Sequence, residues 1–265
     1  DDPMVLSYNP AGLAELRGNQ ILLGANVALM DACVDPIGYY GWGLYGGGSS
    51  AARLSGYGKT LDLNFGADQP GTADAYYTTP LDTVCMRQNV TPVPQLGFTF
   101  RLTERLGAGF GLIFPSQMPS GQWGGPNGLI DTPNGLRPAA TRYMLMNTGS
   151  IGLFPTIGLG YRLAKWLRVG AAFEWGMYGV DLTNMTAAAG GGTNPKNDVI
   201  SRTRVTDWFV PAVNASVHLV PIDALDIVAA LRWSGDMQAD GVLSLTTGVF
   251  DPRFVPRTTD ERATL

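Results

Sequence analysis

Apolar and polar positions alternate with a period of two along several stretches of the chain, most clearly over 94–114. Leu96, Phe98, Phe100 and Leu102 alternate with Gln95, Gly97, Thr99 and Arg101. After Thr103-Glu104-Arg105, Leu106, Ala108, Phe110, Leu112 and Phe114 alternate with Gly107, Gly109 and Gly111. Successive side chains of an extended chain point to opposite faces, so this spacing predicts an antiparallel hairpin with one apolar and one small or polar face. The pattern recurs over Ile21 to Leu29, Ile157 to Leu163, Leu167 to Met177, Val213 to Leu219 and Leu225 to Trp233. Short turns are expected near 103–105, 164–166 and 221–223. Runs of roughly 9 to 11 residues suit a tilted strand crossing a bilayer and exceed the usual 5 to 6 or so of globular sheets.

The faces are inverted for a water-soluble core. Arg101, Arg162, Arg168, Asp226 and Arg232 fall on the face that holds the glycines, while large apolar residues share the other. Apolar outside and polar inside is the pattern of a transmembrane β-barrel. The expected fold is therefore all-β, an antiparallel transmembrane barrel, with seven or eight strands readable over 19–265. Segments near 31–92, 118–149 and 178–206 are rich in Gly, Pro, Asn and Thr and are expected to be long extracellular loops. Trp123, Trp166, Trp175, Tyr178, Trp208 and Trp233 stand near strand ends, either as a belt at the membrane–water boundary or as scattered packing aromatics.

Composition narrows the chemistry. No run of about 18 apolar residues exists, so no membrane-spanning helix is expected. A net charge of −4 offers no basic face, and no nucleic-acid partner is expected. Cys33 and Cys85 both lie in the first long segment. Bridged, they would close a loop of about 50 residues and stabilise the chain by about 4 kcal/mol in the chain-entropy model, as suits an oxidising compartment. Two separate thiols are the alternative. A single histidine, His218, with two distant cysteines makes a poor metal site, and neither metal nor cofactor is expected. Ser216 and His218 lie two apart on one strand face, but no third group is identifiable to orient the imidazole. The run Thr148-Gly149-Ser150-Ile151-Gly152 lacks the first glycine of a nucleophile elbow. No enzymatic activity is expected.

Asn9-Pro10-Ala11-Gly12-Leu13-Ala14, followed by Gly18 and the first strand, resembles the Asn-Pro-Ala signature opening the barrel of FadL-type outer-membrane transporters of long-chain fatty acids and aromatic hydrocarbons. Glu104 to Gly111 with Phe114-Pro115 and Trp123 is similar to that family's second hairpin. Pro155 to Tyr161 with Leu167 to Gly170, and Leu231-Arg232-Trp233-Ser234 closing on Gly241, continue the likeness in order. The resemblance implies a full barrel of about 14 strands with an N-terminal hatch as its plug. It also implies a multi-pass outer-membrane location, membrane lipid and lipopolysaccharide as surroundings, and a hydrophobic small molecule as cargo.

The same resemblance implies capture in an external groove, for which Tyr39, Tyr40, Trp42 and Tyr45 are candidates. A break in the third strand is implied too, with Gly107, Gly109, Gly111 and Pro115 as candidates. Those glycines equally suit a lumen face that makes room for whatever lies opposite. Residues 1–18 are expected to be a hatch-to-barrel junction. The remainder of the barrel is expected from the rest of the protein or from a partner chain. Glu174 and Arg232 are expected to point into the lumen and meet across one intervening strand, either bracing the wall or gripping a substrate carboxylate. A general porin and a surface-loop adhesin or receptor are the alternative functions.

Overall fold

The alternating runs form nine principal strands: β1 (Gln20–Met30), β2 (Asn89–Arg101), β3 (Leu106–Ile113), β4 (Asn147–Ala164), β5 (Leu167–Ala187), β6 (Asp198–Ile222), β7 (Leu225–Ser234), β8 (Asp240–Thr247) and β9 (Arg257–Thr264). They come from a computed structural model that describes residues 2–37, 52–53, 60–61, 81–87, 89–114, 120–132, 135–187, 198–222, 224–249 and 255–264. Strands β1 to β6 pair antiparallel in chain order. The long β6 carries β7 along its second half and β8 along its first, and β8 pairs with β9. Strands β7 and β8 therefore lie end to end against one neighbour. Short strands Cys33–Val34, Val84–Arg87 and Gly121–Trp123 continue the same sheet beside the start of β4.

The predicted hairpin forms in the expected register. Phe98 faces Phe110, with ring centroids 6.3 Å apart, and Leu96 faces Leu112. The large apolar side chains are the exposed ones. Leu23 is 78% exposed and Ile157 58%, whereas Thr99, Thr156, Asn214 and Ser216 are buried on the opposite face. That inversion requires a solvent as apolar as the side chains facing it, which is lipid. Trp166, Trp175, Trp208 and Trp233 are exposed near the ends of this apolar band. The indole N–H of Trp175 donates to the Trp208 carbonyl at 2.6 Å, so it stays satisfied while its ring faces outward.

Two expectations need correction. The segments near 31–92, 118–149 and 178–206 are not loops throughout. β2 begins at Asn89, β5 runs on to Ala187, and β6 starts at Asp198. Thr186 still faces Val199, and Asp181 on β5 pairs bidentately with Arg202 on β6 at 2.6 and 2.9 Å. Thr and Val in these stretches are good strand formers, and cross-strand charge pairs replace apolar contacts where the strands pass beyond the apolar band. Segment 118–149 holds Gly121–Trp123, Leu129–Thr132 and Gly135–Pro138 as strands.

A buried cluster ties this segment to the sheet. Arg142 Nε lies 2.8 Å from Asp198, and the Tyr143 hydroxyl donates to the same carboxylate at 2.7 Å. Burial pushes the Tyr143 phenol up to about 12. Cys33 and Cys85 face each other across their short strands and are disulfide-bonded.

The second correction concerns residues 1–18, which are more than a junction. Helix α1 (Val5–Tyr8) and the 3-10 turn Pro10–Ala14 pack onto the concave face of the sheet, and Val5, Leu6, Leu13, Leu16 and Ala172 form a buried apolar cluster.

Placing arginine at Phe110 puts a charge on the apolar face between β2 and β4. The expected cost is about 2–4 kcal/mol of folding stability in bilayers if the site is near the midplane, read from denaturant-induced unfolding in lipid vesicles. A Phe110→Arg protein as stable as the parent would mean this face does not meet hydrocarbon.

Candidate functional site

Glycine makes the concave face able to accept main chain. A Cβ on Gly160 would stand 2.6 Å from the Pro10 carbonyl oxygen, and one on Gly158 would stand 2.6 Å from a Leu6 methyl. Gly109 has Leu13 at 3.0 Å, and Gly107 and Gly170 meet the backbone of residues 10–14 more closely still. Three neighbouring strands thus present bare backbone to residues 6–14, with Gly160 and Gly170 against Pro10 and Ala11. Pro10 opens the 3-10 turn, where its fixed φ fits and its missing N–H costs nothing. Ala11 is fully buried, and its N–H donates to Ser216 Oγ at 2.8 Å. Asn9 is buried as well, and its carbonyl accepts from the Gly12 N–H at 2.9 Å.

The wall charges singled out in the sequence hold this segment. Arg101 donates to the Leu16 carbonyl at 3.2 Å and Arg162 to the Ala14 carbonyl at 3.3 Å. Asn214 donates to the Ser7 carbonyl at 2.6 Å. Arg168 forms an ion pair with Glu15, and His218 Nδ1 lies 3.5 Å from the same carboxylate. On its other side His218 Nε2 meets Asp226 at 2.9 Å. Ser216 and His218 therefore both serve the N-terminal segment. These groups satisfy carbonyls that face the wall and pair the part-exposed Glu15 carboxylate.

Sequence reading found the residues but not this use of them. The available signal was the coincidence of glycines and charges on one face, close to the tight turns.

Farther along the strands, Glu174 and Arg232 come together across β6, as expected. Arg232 Nη2 lies 2.6 Å from Glu174 Oε2, and its Nε donates to the same oxygen at 3.2 Å. The Glu174 side chain is buried, while that of Arg232 is 44% exposed. The guanidinium lies over the Phe154 ring at 5.7 Å, and Phe154 packs edge-on against Tyr178. An aromatic wall and a half-open guanidinium make a surface for a molecule with an apolar body and an anionic end.

The glycine candidates for a strand break do not interrupt β3. Gly107, Gly109 and Gly111 each pair on both sides, with β2 and with β4. Their physical role is to admit the N-terminal segment or to sit in an intact ladder. Strand β3 ends at Ile113, and the pairing of β4 on that side resumes at Gly121. Pro115 lies outside the described residues, as do Tyr39, Tyr40, Trp42 and Tyr45.

No family model and no curated protein matches the sequence. Among solved structures, the chain is similar to a FadL homologue from Pseudomonas aeruginosa, with a TM-score of 0.61 at 14% identity, over 99% of this chain and 58% of that one. It is also similar to the toluene transporter TbuX from Ralstonia pickettii, with a TM-score of 0.60 at 14% identity, over 99% of this chain and 59% of that one. The chain therefore has the all-β barrel fold of FadL-type proteins, and it spans less than two thirds of the length of these two.

The glycine contacts can be tested directly. A Gly170→Ala substitution drives a methyl into the Pro10–Ala11 backbone, while Gly24→Ala meets only ordinary contacts near 3.5 Å. Overpacking of about 1–3 kcal/mol should raise labelling of a Leu13→Cys reporter by a water-soluble maleimide roughly five- to a hundredfold. Gly24→Ala should leave the rate unchanged. Equal rates in both backgrounds would show that the segment does not depend on this close approach.

Proposed function

We propose that the chain forms part of an outer-membrane barrel that passes hydrophobic small molecules across the membrane, with residues 3–16 as part of its plug. The observation that carries the reading is the filled concave face. Buried apolar residues and wall-to-segment hydrogen bonds occupy the space that a water-filled pore would leave open. Such an interior hinders free diffusion of polar solutes and suits a gated path for apolar ones. The structural neighbours, a FadL homologue and a toluene transporter, support the same cargo class.

On this reading the molecule is captured at the outer end and moves to the surface formed by Phe154, Tyr178 and Arg232. It leaves when the plug shifts. Tyr39, Tyr40, Trp42 and Tyr45 serve the capture groove, and the stretch around Pro115 serves as the opening in the third strand. The apolar band lies in lipid, with lipopolysaccharide around its outer rim. Unpaired backbone costs several kcal/mol per group in hydrocarbon, so within the apolar band the free edges of β1 and β7 need strand partners.

A general porin would use its inward charges to line water. Here the described ones grip the N-terminal segment or pair with each other, which favours the plugged reading. Single-channel recording in planar bilayers distinguishes the two: the plugged barrel gives little steady conductance, and a large ohmic step would mean a porin.

The role of Arg232 has its own test. Pairing with Glu174 braces the wall at rest, and the exposed part of the guanidinium is free to meet an incoming carboxylate. Replacing Arg232 with Met should weaken binding of a fatty acid by about tenfold or more, the worth of a charge-assisted hydrogen bond, and leave the matching alcohol nearly unaffected. Equal losses for acid and alcohol would reduce Arg232 to the bracing role.

A further inference from the structure

We infer that Arg202 and Arg204 form a binding site for the phosphorylated head group of an outer-leaflet lipid, on the outward face of the wall just beyond the apolar band. The inference rests on the reading of that band as lipid-facing. Ile151 shares the period-two face of Ile157 and Leu159 on β4, and it pairs with Gly179 on β5. Gly179 pairs with Thr206, and Asp181 pairs with Arg204. Asp181, Arg202 and Arg204 therefore stand on the same face as the lipid-facing residues, one step farther out.

Their height fits a head group. From Trp208, 70% exposed at the edge of the band, Arg204 is four residues along the strand. At about 3.3 Å per residue and a tilt near 45°, that is roughly 9 Å above the boundary. Charge in the hydrocarbon itself would be costly, so charges on this face mark the layer where phosphates lie.

The cavities give the site its amphiphilic shape. A groove of about 340 Å³ runs beside Gly149, Ile151, Gly179 and Thr206, and reaches Arg204. Above it a hollow of about 540 Å³ is lined by Asn147, Thr183, Arg202, Arg204 and Ser244. Arg204 belongs to both. The lower groove suits an acyl chain, and the upper hollow offers hydroxyls, amides and guanidinium groups to a phosphorylated sugar.

The charge balance points the same way. Arg202 is held bidentately by Asp181, while Arg204 reaches that carboxylate only through Nε at 3.5 Å and its side chain is 60% exposed. Arg204 is thus the less engaged of the two guanidinium groups and the freer to meet an anion. Guanidinium binds phosphate in a forked geometry that a lone ammonium does not match.

The test uses the full chain purified in non-ionic detergent, with lipopolysaccharide carrying or lacking its phosphates as probe. Native mass spectrometry counts the retained lipid. The parent protein should keep the phosphorylated form preferentially. The double variant Arg202→Gln with Arg204→Gln should lose about tenfold or more for that form and change little for the dephosphorylated one. Should the double variant fail to fold, Asp181→Asn decides alone. It removes the competing carboxylate, so binding of the phosphorylated form should rise several-fold, and an unchanged or lower value overturns the site.

Binding of inorganic phosphate alone as tightly as the phosphorylated lipid would also overturn it, since a simple anion site needs no acyl chain. Equal retention of both lipid forms by parent and variants would do the same. Insertion of the protein into phosphatidylcholine vesicles is measured separately. Insertion without phosphate preference sinks this inference and leaves the membrane reading intact, whereas failure to insert sinks the membrane reading itself.

Discussion

Close approach of the Pro10–Ala14 backbone to bare strand backbone is the contact on which the rest of the interior depends. It exists only because β3, β4 and β5 present glycine where any side chain would stand. Once main chain lies against main chain, several of the segment's carbonyls are turned from water towards the wall, with the part-exposed Glu15 carboxylate beside them. They then need donors from the wall. Arg101, Arg162, Arg168, Asn214 and Ser216 supply them. The polar face of the sheet is thus polar for a specific reason: it receives a piece of irregular backbone, and irregular backbone must be hydrogen-bonded wherever it is buried.

The apolar face follows the opposite logic. No packed partner satisfies it within the described residues, and its strands gain nothing from water. Outward Phe, Ile, Leu and Trp side chains gain from hydrocarbon, while each strand between the sheet's edges hydrogen-bonds its backbone to its neighbours. One sheet therefore solves two problems at once, with a lipid solvent on one side and a folded segment on the other. The alternation of side chains along each strand is what keeps the two separate.

That alternation is also why so much was legible in the sequence. The hairpin of Phe98 and Phe110, the tight turns, the inversion of faces and the pairing of Glu174 with Arg232 all follow from period two and antiparallel neighbours. The reach of β5 and β6 was not legible. Beyond the apolar band the alternation loses its apolar partner and Gly, Thr and Asn take over, so composition alone reads as loop. The fate of residues 3–16 was hidden for a different reason. Their burial depends on glycines about 90 to 160 residues away, and no local pattern in a short apolar stretch reports such a partner. The Cys33–Cys85 pairing was readable because two cysteines leave few choices.

The interruption between β7 and β8 has a consequence for how such a wall can vary. Asp236 to Ala239 leave the ladder after a last bond from the Gly235 N–H to the Pro211 carbonyl at 2.8 Å, and Asp207 accepts from the amides of Gln238 and Phe209 at 2.6 and 2.9 Å. At the same level β6 shifts register against β5. Two registers meeting at one carboxylate are set independently on either side of it. The rim can therefore lengthen, shorten or be exchanged during evolution without propagating a slip into the spanning part, whose alternation a single-residue shift would turn inside out. Asp207 acts as an expansion joint, and it separates a part of the barrel that must stay constant from a part that is free to diversify.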